Sequence, residues 1–446
     1  MRNRILTSVA ALALMQGAAV AQIAVDDQRT VVVHAGTVLL RADQEPQTER
    51  TIVIKNDRID RIEDGYVDVE GAEVIDLKDG FVMPGMIDSH VHLTSELNPQ
   101  ARLQTVEKSD ADFAMDATIH GKRTLEAGFT TVQDVGGRGQ SAIYAVRTAS
   151  KGYDLPLPRI RAAGWALAVT GGHADGRQGY NEAVAETLHK DSVCDGADDC
   201  RRAVRDQIRK GADLIKITAT GGVLSNTLAG VEQQFTDEEL EAIVEAATSM
   251  GRYVTAHAHG TNGVNSALKA GIHSIEHGSY LDEESISLFK EKNAVLVPTV
   301  MAGDFVARTA KTATWMTEPQ RIKSLEVGPA MLDMLRRAHE AGVKIAFGTD
   351  TGVSPHGDNA RELELMIEAG MSPKEALVAV TLTAAEHVQM DKDIGSLEPG
   401  KFADLIAVGG SPLDNISELR DVDFVMKGGR VFKDEPLDGP RPQQEG

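Results

Sequence analysis

The chain is short of cysteine, of positive charge and of long apolar runs, and each shortage removes a class of protein. Its 446 residues include two cysteines, Cys194 and Cys200. A disulfide framework of the kind that holds small secreted domains together is therefore excluded, and a chain of this length can bury a sizeable core instead. Both cysteines lie in the turn-rich segment CDGADDC, without CxxC spacing or neighbouring ligands, which argues against a cysteine metal site. Lysine and arginine number 46 against 67 aspartates and glutamates, a formal charge of −21. Nucleic acid and anionic membrane surfaces are poor partners for such a surface. No apolar run beyond the N-terminus approaches the length of a membrane span. Repeats and low-complexity tracts are also missing.

What is present begins with a leader pattern. Arg2 and Arg4 precede an apolar stretch over residues 5–14, and the small-residue ending Ala19-Val20-Ala21 stands before Gln22. Residues 1–21 are expected to be a secretory signal peptide, whose removal takes the formal charge from −21 to −23. A periplasmic or secreted location follows, with no membrane contact after cleavage, and in an exported protein Cys194 and Cys200 are expected to form a disulfide.

Short strand-like runs with glycine and aspartate turns (TVVVHAG, TIVIKNDRIDRI, AEVIDL, GFVMPG) fill the stretch before residue 84, and LIAVGG and DFVMKGGRVF have the same character near the C-terminus. The two terminal segments, 22–84 and 395–436, are expected to combine into one small β-sandwich. Between them, over 85–394, eight units alternate a buried strand with a helical period: GMIDSHV, TTVQDVG, RIRAAGW, DLIKITA, YVTAHAH, SIEHG, AVLVPTV and KIAFGTD. This alternation predicts an α/β fold, a (β/α)8 TIM barrel. The tail 437–446 is expected to be disordered.

Candidate ligands recur at the C-terminal ends of these runs, where a barrel of this kind assembles its active site. His90 and His92 in MIDSHVH are two apart, so a strand projects both imidazoles from one face. Lys216 stands between Ile215 and Ile217, which places an ammonium inside the barrel while the isoleucines face the helices. Such a charge is costly unless paired or chemically altered. His257 in VTAHAHG, His277 in SIEHG and Asp350 in AFGTDTG complete the set.

These residues, with CRRAVRDQIRKGADLIKITATGG, GTDTGVSPHGDNARELELMIEAGMSPKEAL and IGSLEPGKFADLIAVGGSPL, resemble the amidohydrolase superfamily, in particular its imidazolonepropionase-like and Xaa-Pro dipeptidase-like branch. The resemblance covers nearly all of the mature chain. It implies that Lys216 is carboxylated by CO2 and bridges two divalent metals, with His90, His92 and Asp350 on one metal and His257 and His277 on the other. Zinc suits imidazole-rich ligation. Carboxylation reverses the charge on Lys216 and so answers the cost of burying it. Asp350 would also relay a proton to the leaving amine.

The implied reaction is hydrolysis of an amide bond in a dipeptide or N-acyl amino acid, with release of the C-terminal amino acid; ochratoxin-type amides fall in the same class. Hydrolysis of a cyclic amide, as by imidazolonepropionase, is the alternative that a carboxylated Lys216 argues against, and a catalytically inactive binding protein on this scaffold is the alternative that a complete ligand set argues against. Two long strand-to-helix connections, over 168–199 and from 301 to about 327, are expected to wall the pocket. They supply His173, Tyr180 and Trp315 as substrate-binding candidates, and His259 and His356 lie beside loop glycines on the same face. A small-molecule amide or dipeptide is the expected partner and a homo-oligomer the expected assembly. Gln133 stands in TTVQD where many relatives read TTVRD, so any contact made by that arginine is in doubt here.

Overall fold

Apolar residues two apart build the first layer. Val31 and Val33 in β1 (Thr30–Val38), Ile52 and Ile54 in β2 (Gln47–Lys55), Leu405 and Ala407, and Phe424 and Met426 share one buried cluster, as a period of two requires on one face of a sheet. The computed structural model describes residues 29–437 and 439, apart from 140, 153 and 227–229. The expected leader, residues 1–21, lies outside the described residues, as does most of the expected tail.

With β3 (Arg58–Asp64), β4 (Glu73–Pro84) and, after the parallel strands below, three strands from the C-terminal segment, β1 and β2 form a seven-stranded sheet. The runs AEVIDL and GFVMPG, expected as separate strands, are one strand, β4. It pairs parallel with β1 and antiparallel with Leu405–Val408, with Met83 opposite Ile406, so the two terminal segments share one sheet.

Each of the eight central runs contains a strand: β5 (Met86–Val91), β6 (Phe129–Asp134), β7 (Arg159–Ala162), β8 (Ile215–Thr218), β9 (Val254–Ala258), β10 (Ser274–His277), β11 (Val295–Val297) and β12 (Lys344–Ile345). Three C-terminal strands follow, β13 (Leu405–Val408), β14 (Phe424–Lys427) and β15 (Arg430–Asp434). Strands β5 to β7 and β8 to β12 make two parallel sheets, giving an α/β fold. Most are buried throughout, because helices cover a parallel sheet on its outer face. Ile215 and Ile217 are fully buried, each worth roughly 1.5–3 kcal/mol of hydrophobic stabilisation.

Backbone contacts link the two sheets at both edges. Leu167, after β7, bridges Ile217 of β8. On the other side Ser89 N–H donates to Phe347 at 3.0 Å, Asp350 N–H to His90 at 2.8 Å and His92 N–H to Thr351 at 2.8 Å. The catalytic candidates on β5 and after β12 are thereby locked to each other by main chain.

The helices start where the sequence supplies caps. Thr236 and Glu239 form a capping box for Asp237–Ser249, and Ser372 and Glu375 for Pro373–Val378. No helix among the described residues is long and apolar enough to cross a membrane.

The connection from residue 301 to about 327 is not the open loop expected from sequence. Val300–Ala310 is helical, and a second helix, Glu318–Glu340, begins at the capping box of Thr317 and Gln320. Only the residues between them, Trp315 included, are irregular. The two helices touch at Gly303 and Gly328, where a Cβ on Gly328 would stand 2.5 Å from the Gly303 carbonyl oxygen. Backbone contact that close admits no side chain. The 168–199 connection does carry loop and one short helix (Glu182–Thr187), and a disulfide ties its Cys194 to Cys200 in the following helix, Ala197–Lys210, with Cα atoms 5.0 Å apart.

Candidate metal centre and its surroundings

His90 on β5 and His92 just after it aim their Nε2 atoms at one oxygen, Oδ1 of Asp350, at 3.4 and 2.9 Å. Their other ring nitrogens are committed. Nδ1 of His90 donates to Oε2 of Glu276 at 2.6 Å, and Nδ1 of His92 donates to the carbonyl of Gly136 at 2.6 Å. With both Nδ1 atoms protonated, two imidazole lone pairs face a carboxylate oxygen, an acceptor set that needs a proton or a metal ion at its centre. His92 and Asp350 bias each other's protonation. Burial works to lower His92, yet the Asp350 carboxylate raises it above the ordinary histidine value. Burial works to raise Asp350, yet His90 and His92 hold it well below the usual carboxylate range.

His277, at the end of β10, completes a trio with His90 and Asp350, and a second trio with His257 and His259 of the β9 end; in each, one ligand atom per residue lies within 4.8 Å of the others. All of these are buried, and burial holds His257 and His277 well below the ordinary value and His259 down to about 3. Neutral imidazoles are what a divalent metal binds. His277 is oriented by Thr299, whose Oγ1 is 2.6 Å from Nδ1, and His259 by Ser279 Oγ at 2.7 Å.

Three residues here hold backbone that only glycine adopts easily: His277 at φ 73°, Thr299 at φ 48° and Asp350 at φ 60°. Each such residue typically costs of order 1–3 kcal/mol, and strain of this kind concentrates at functional sites.

Lys216 points into the same cavity and is 3% exposed. Its Nζ makes no hydrogen bond among the described residues. Burial lowers its pKa, against the attraction of Glu276 and Asp350. Glu276 is itself drawn down to about 2: burial would raise it, but Lys216 and His90 outweigh that.

The cavity these residues line holds about 380 Å³. His173 and His259 stand in its wall; the His173 ring centroid is 4.4 Å from that of His257, and burial depresses His173 to about 4. Tyr180 and Trp315 line an adjoining outer cavity of about 710 Å³ instead. The Tyr180 hydroxyl donates to the Arg102 carbonyl at 2.7 Å, beneath the Arg102 guanidinium. His356 lines neither cavity. Its ring stacks on His120 and its Nε2 is 2.9 Å from the Ser95 carbonyl. Gln133 is buried and ties together the Ser89 carbonyl (3.1 Å), the Tyr253 hydroxyl (2.5 Å) and the His387 ring (3.3 Å), a packing role with no exposure to the cavity.

Sequence reasoning passed over Glu276, Thr299, Arg138 and Lys190. A carboxylate inside an otherwise uncharged buried strand, SIEH, was a legible signal for the first. The others are brought to the site only by tertiary packing.

Imidazoles, a carboxylate and a buried lysine converging at the C-terminal ends of parallel strands define a candidate metal-dependent hydrolase centre. The chain belongs to the amidohydrolase family, hydrolases of amide bonds, whose model matches residues 81–432. Over 440 aligned residues it is 32% identical to ochratoxinase of Aspergillus niger, covering 92% of this chain and 88% of that one. Among solved structures, a Xaa-Pro dipeptidase with methionine bound in its active site is 40% identical, with a TM-score of 0.85 over 91% of this chain and all of that one. A prolidase complexed with N-methylphosphonate-L-proline is 30% identical, with a TM-score of 0.82 over the same 91% of this chain and 100% of its own.

Proposed function

We propose that the protein is an exported, binuclear metal-dependent amidohydrolase that releases the C-terminal amino acid from dipeptides or N-acyl amino acids. The observation that carries this reading is the convergence of His90, His92, His277 and Asp350 beside a buried lysine without a hydrogen-bond partner. The relatives named above, an ochratoxinase and two enzymes described as acting at proline-containing dipeptides, support the substrate class. In this reading the two parallel sheets close into a (β/α)8 barrel over 85–394, and the segments 22–84 and 395–436 form the small sandwich. Export rests on the leader pattern of residues 1–21 and the Cys194–Cys200 disulfide. A homo-oligomer is supported by Leu103, Val106, Met115 and Ile119, exposed apolar side chains on two consecutive helices.

His90, His92 and Asp350 would hold one metal and His257 and His277 the other, with His259, grouped with His257 and His277, as a further donor. When bound, two divalent ions, zinc by the character of the donors, supply a nucleophile from water at neutral pH and Lewis acidity toward the amide carbonyl. Burial, which lowers the Lys216 pKa, favours loss of one proton from Nζ; the lone pair so freed would attack CO2, an N–C bond would form as a second proton leaves, and the cation would be replaced by a carbamate anion able to serve as a metal ligand. Asp350 takes the proton of the attacking water and returns it to the departing amine. Glu276 fixes the His90 tautomer, and His173 stands where it can donate to the substrate carbonyl.

A screen of N-acyl amino acids and dipeptides against zinc-loaded protein, with metal content measured on the same sample, tests this reading. Near two metals per chain and release of a C-terminal amino acid are expected. Trace metal after growth in zinc, or turnover confined to cyclic amides, overturns it.

A further inference from the structure

Two buried lysines elsewhere in this protein are supplied with acceptors. Lys323 Nζ donates to the carbonyls of Gly222 and Ser225 at 2.6 and 2.7 Å, and Lys427 Nζ to that of Leu157. Arg138 and Lys190 differ. Arg138 lies just beyond β6 and Lys190 in the long connection after β7, and both line the cavity that holds His90, His92 and Lys216. They also line the outer cavity, so they stand where the two cavities meet.

Neither side chain makes an ion pair or donates a hydrogen bond among the described residues. The carboxylates near them are already used. Asp175, which attracts Lys190, is bonded twice by Arg177 at 2.7 Å and by the Gly171 N–H at 2.8 Å. Asp116, which attracts Arg138, is bonded by Lys108 at 2.5 Å.

The two cations also repel each other. Burial pushes Lys190 down to about 8, and the Arg138 charge adds to the fall. The Trp165 ring, 5.5 Å from Lys190 Nζ, gives a cation a face to rest on but no charge to neutralise it. A pair of unneutralised cations at the throat of a cavity is favourable once an anion bridges them. The inner cavity is also lined by the apolar side chains of Val223, Val306, Met331 and Val353.

We propose that Arg138 and Lys190 together form the receptor for the free carboxylate of the substrate, so that the enzyme selects N-acyl amino acids with an ionised C-terminus and an apolar side chain over their C-terminal amides. The inference rests on the amidohydrolase reading above for its choice of ligand. A planar guanidinium and an ammonium on separate loops grip one carboxylate from two sides and fix the amide carbonyl toward the His–Asp cluster.

The test compares N-acetyl-L-phenylalanine with N-acetyl-L-phenylalaninamide, by turnover and by calorimetric binding, in the metal-loaded wild type and in Arg138→Gln, Lys190→Gln and the double variant, each checked for native circular dichroism. The wild type should favour the acid by roughly 10- to 100-fold in kcat/KM, carried by KM. Each variant should lose most of that preference, and Lys190→Arg should keep more of it than Lys190→Gln. Equal use of acid and amide by the wild type, or variants that retain the preference, overturns the receptor and leaves the amidohydrolase reading standing. If the wild type cleaves neither compound, that reading is what falls, and the calorimetric preference for the acid still decides the receptor. A failure of Arg138→Gln to fold leaves Lys190→Gln and Lys190→Arg to decide.

Discussion

Nδ1 of His90 and Oε2 of Glu276 are 2.6 Å apart and fully buried, joining β5 to β10. Glu276 Oε1 in turn accepts from Ser274 Oγ at 3.0 Å and from Thr255 Oγ1. The carboxylate therefore has a partner on each oxygen, and the His90 ring has one orientation in which its Nε2 faces Asp350.

Glu276→Gln keeps the shape and an acceptor but removes the charge that holds the His90 tautomer. Loss of a carboxylate behind a ligating histidine typically costs 10- to 100-fold in metal affinity or activity. Chelator competition should show that drop in metal retention while circular dichroism stays native. Unchanged metal affinity and kcat would mean Glu276 is only a packing residue.

Lys216→Ala should abolish most activity, and a short-chain carboxylic acid such as propionate should restore part of it by occupying the bridging position. Lys216→Arg should be equally inactive, because a guanidinium forms no carbamate. Full activity in Lys216→Ala would contradict the bridging role outright.

Asp350→Asn retains an oxygen ligand and loses the basic carboxylate. Metal should be partly retained while kcat falls by roughly 10² to 10⁴, the range for a general acid-base group. Turnover of an N-acyl amino acid near the wild-type rate removes the proton relay from Asp350; a change confined to KM moves it to substrate binding.

Glu362, fully buried, accepts from the N–H groups of Val300 and Met301 at 2.9 and 2.6 Å, and so ties the helix Arg361–Glu368 to the start of Val300–Ala310. Burial raises its pKa from 4.5 to about 8, overcoming those two bonds. Between these values the unfolded chain has released a proton that the folded chain keeps. This group therefore makes stability fall as pH rises from about 4.5 to 8 and level off above. Tm measured across that window should decline less steeply in Glu362→Gln than in the wild type; parallel curves would show that Glu362 titrates normally.

Most of the candidate centre was legible along the chain because metal-ligand residue types at strand ends are a local pattern. His90 and His92 share a face by the two-residue period of a strand, and Lys216 reads as buried from the isoleucines beside it. The eight parallel strands were legible for the same reason, as runs of β-branched residues bounded by glycine. The helix of Val300–Ala310 was missed because MAGDF, with its glycine, reads as loop until packing against Glu318–Glu340 makes that glycine a contact point.

Sequence by itself determined which groups are present, their order, and the periodicities that send them to one end of the strands. Tertiary structure alone decided which of them meet. Glu276 reaches His90 across 186 residues of chain, Arg138 and Lys190 come together from separate loops, and His356 turns to His120 instead of the cavity. Hydrogen bonding and charge act over a few ångströms of space, and separation along the chain carries no information about that distance until the sheets have assembled.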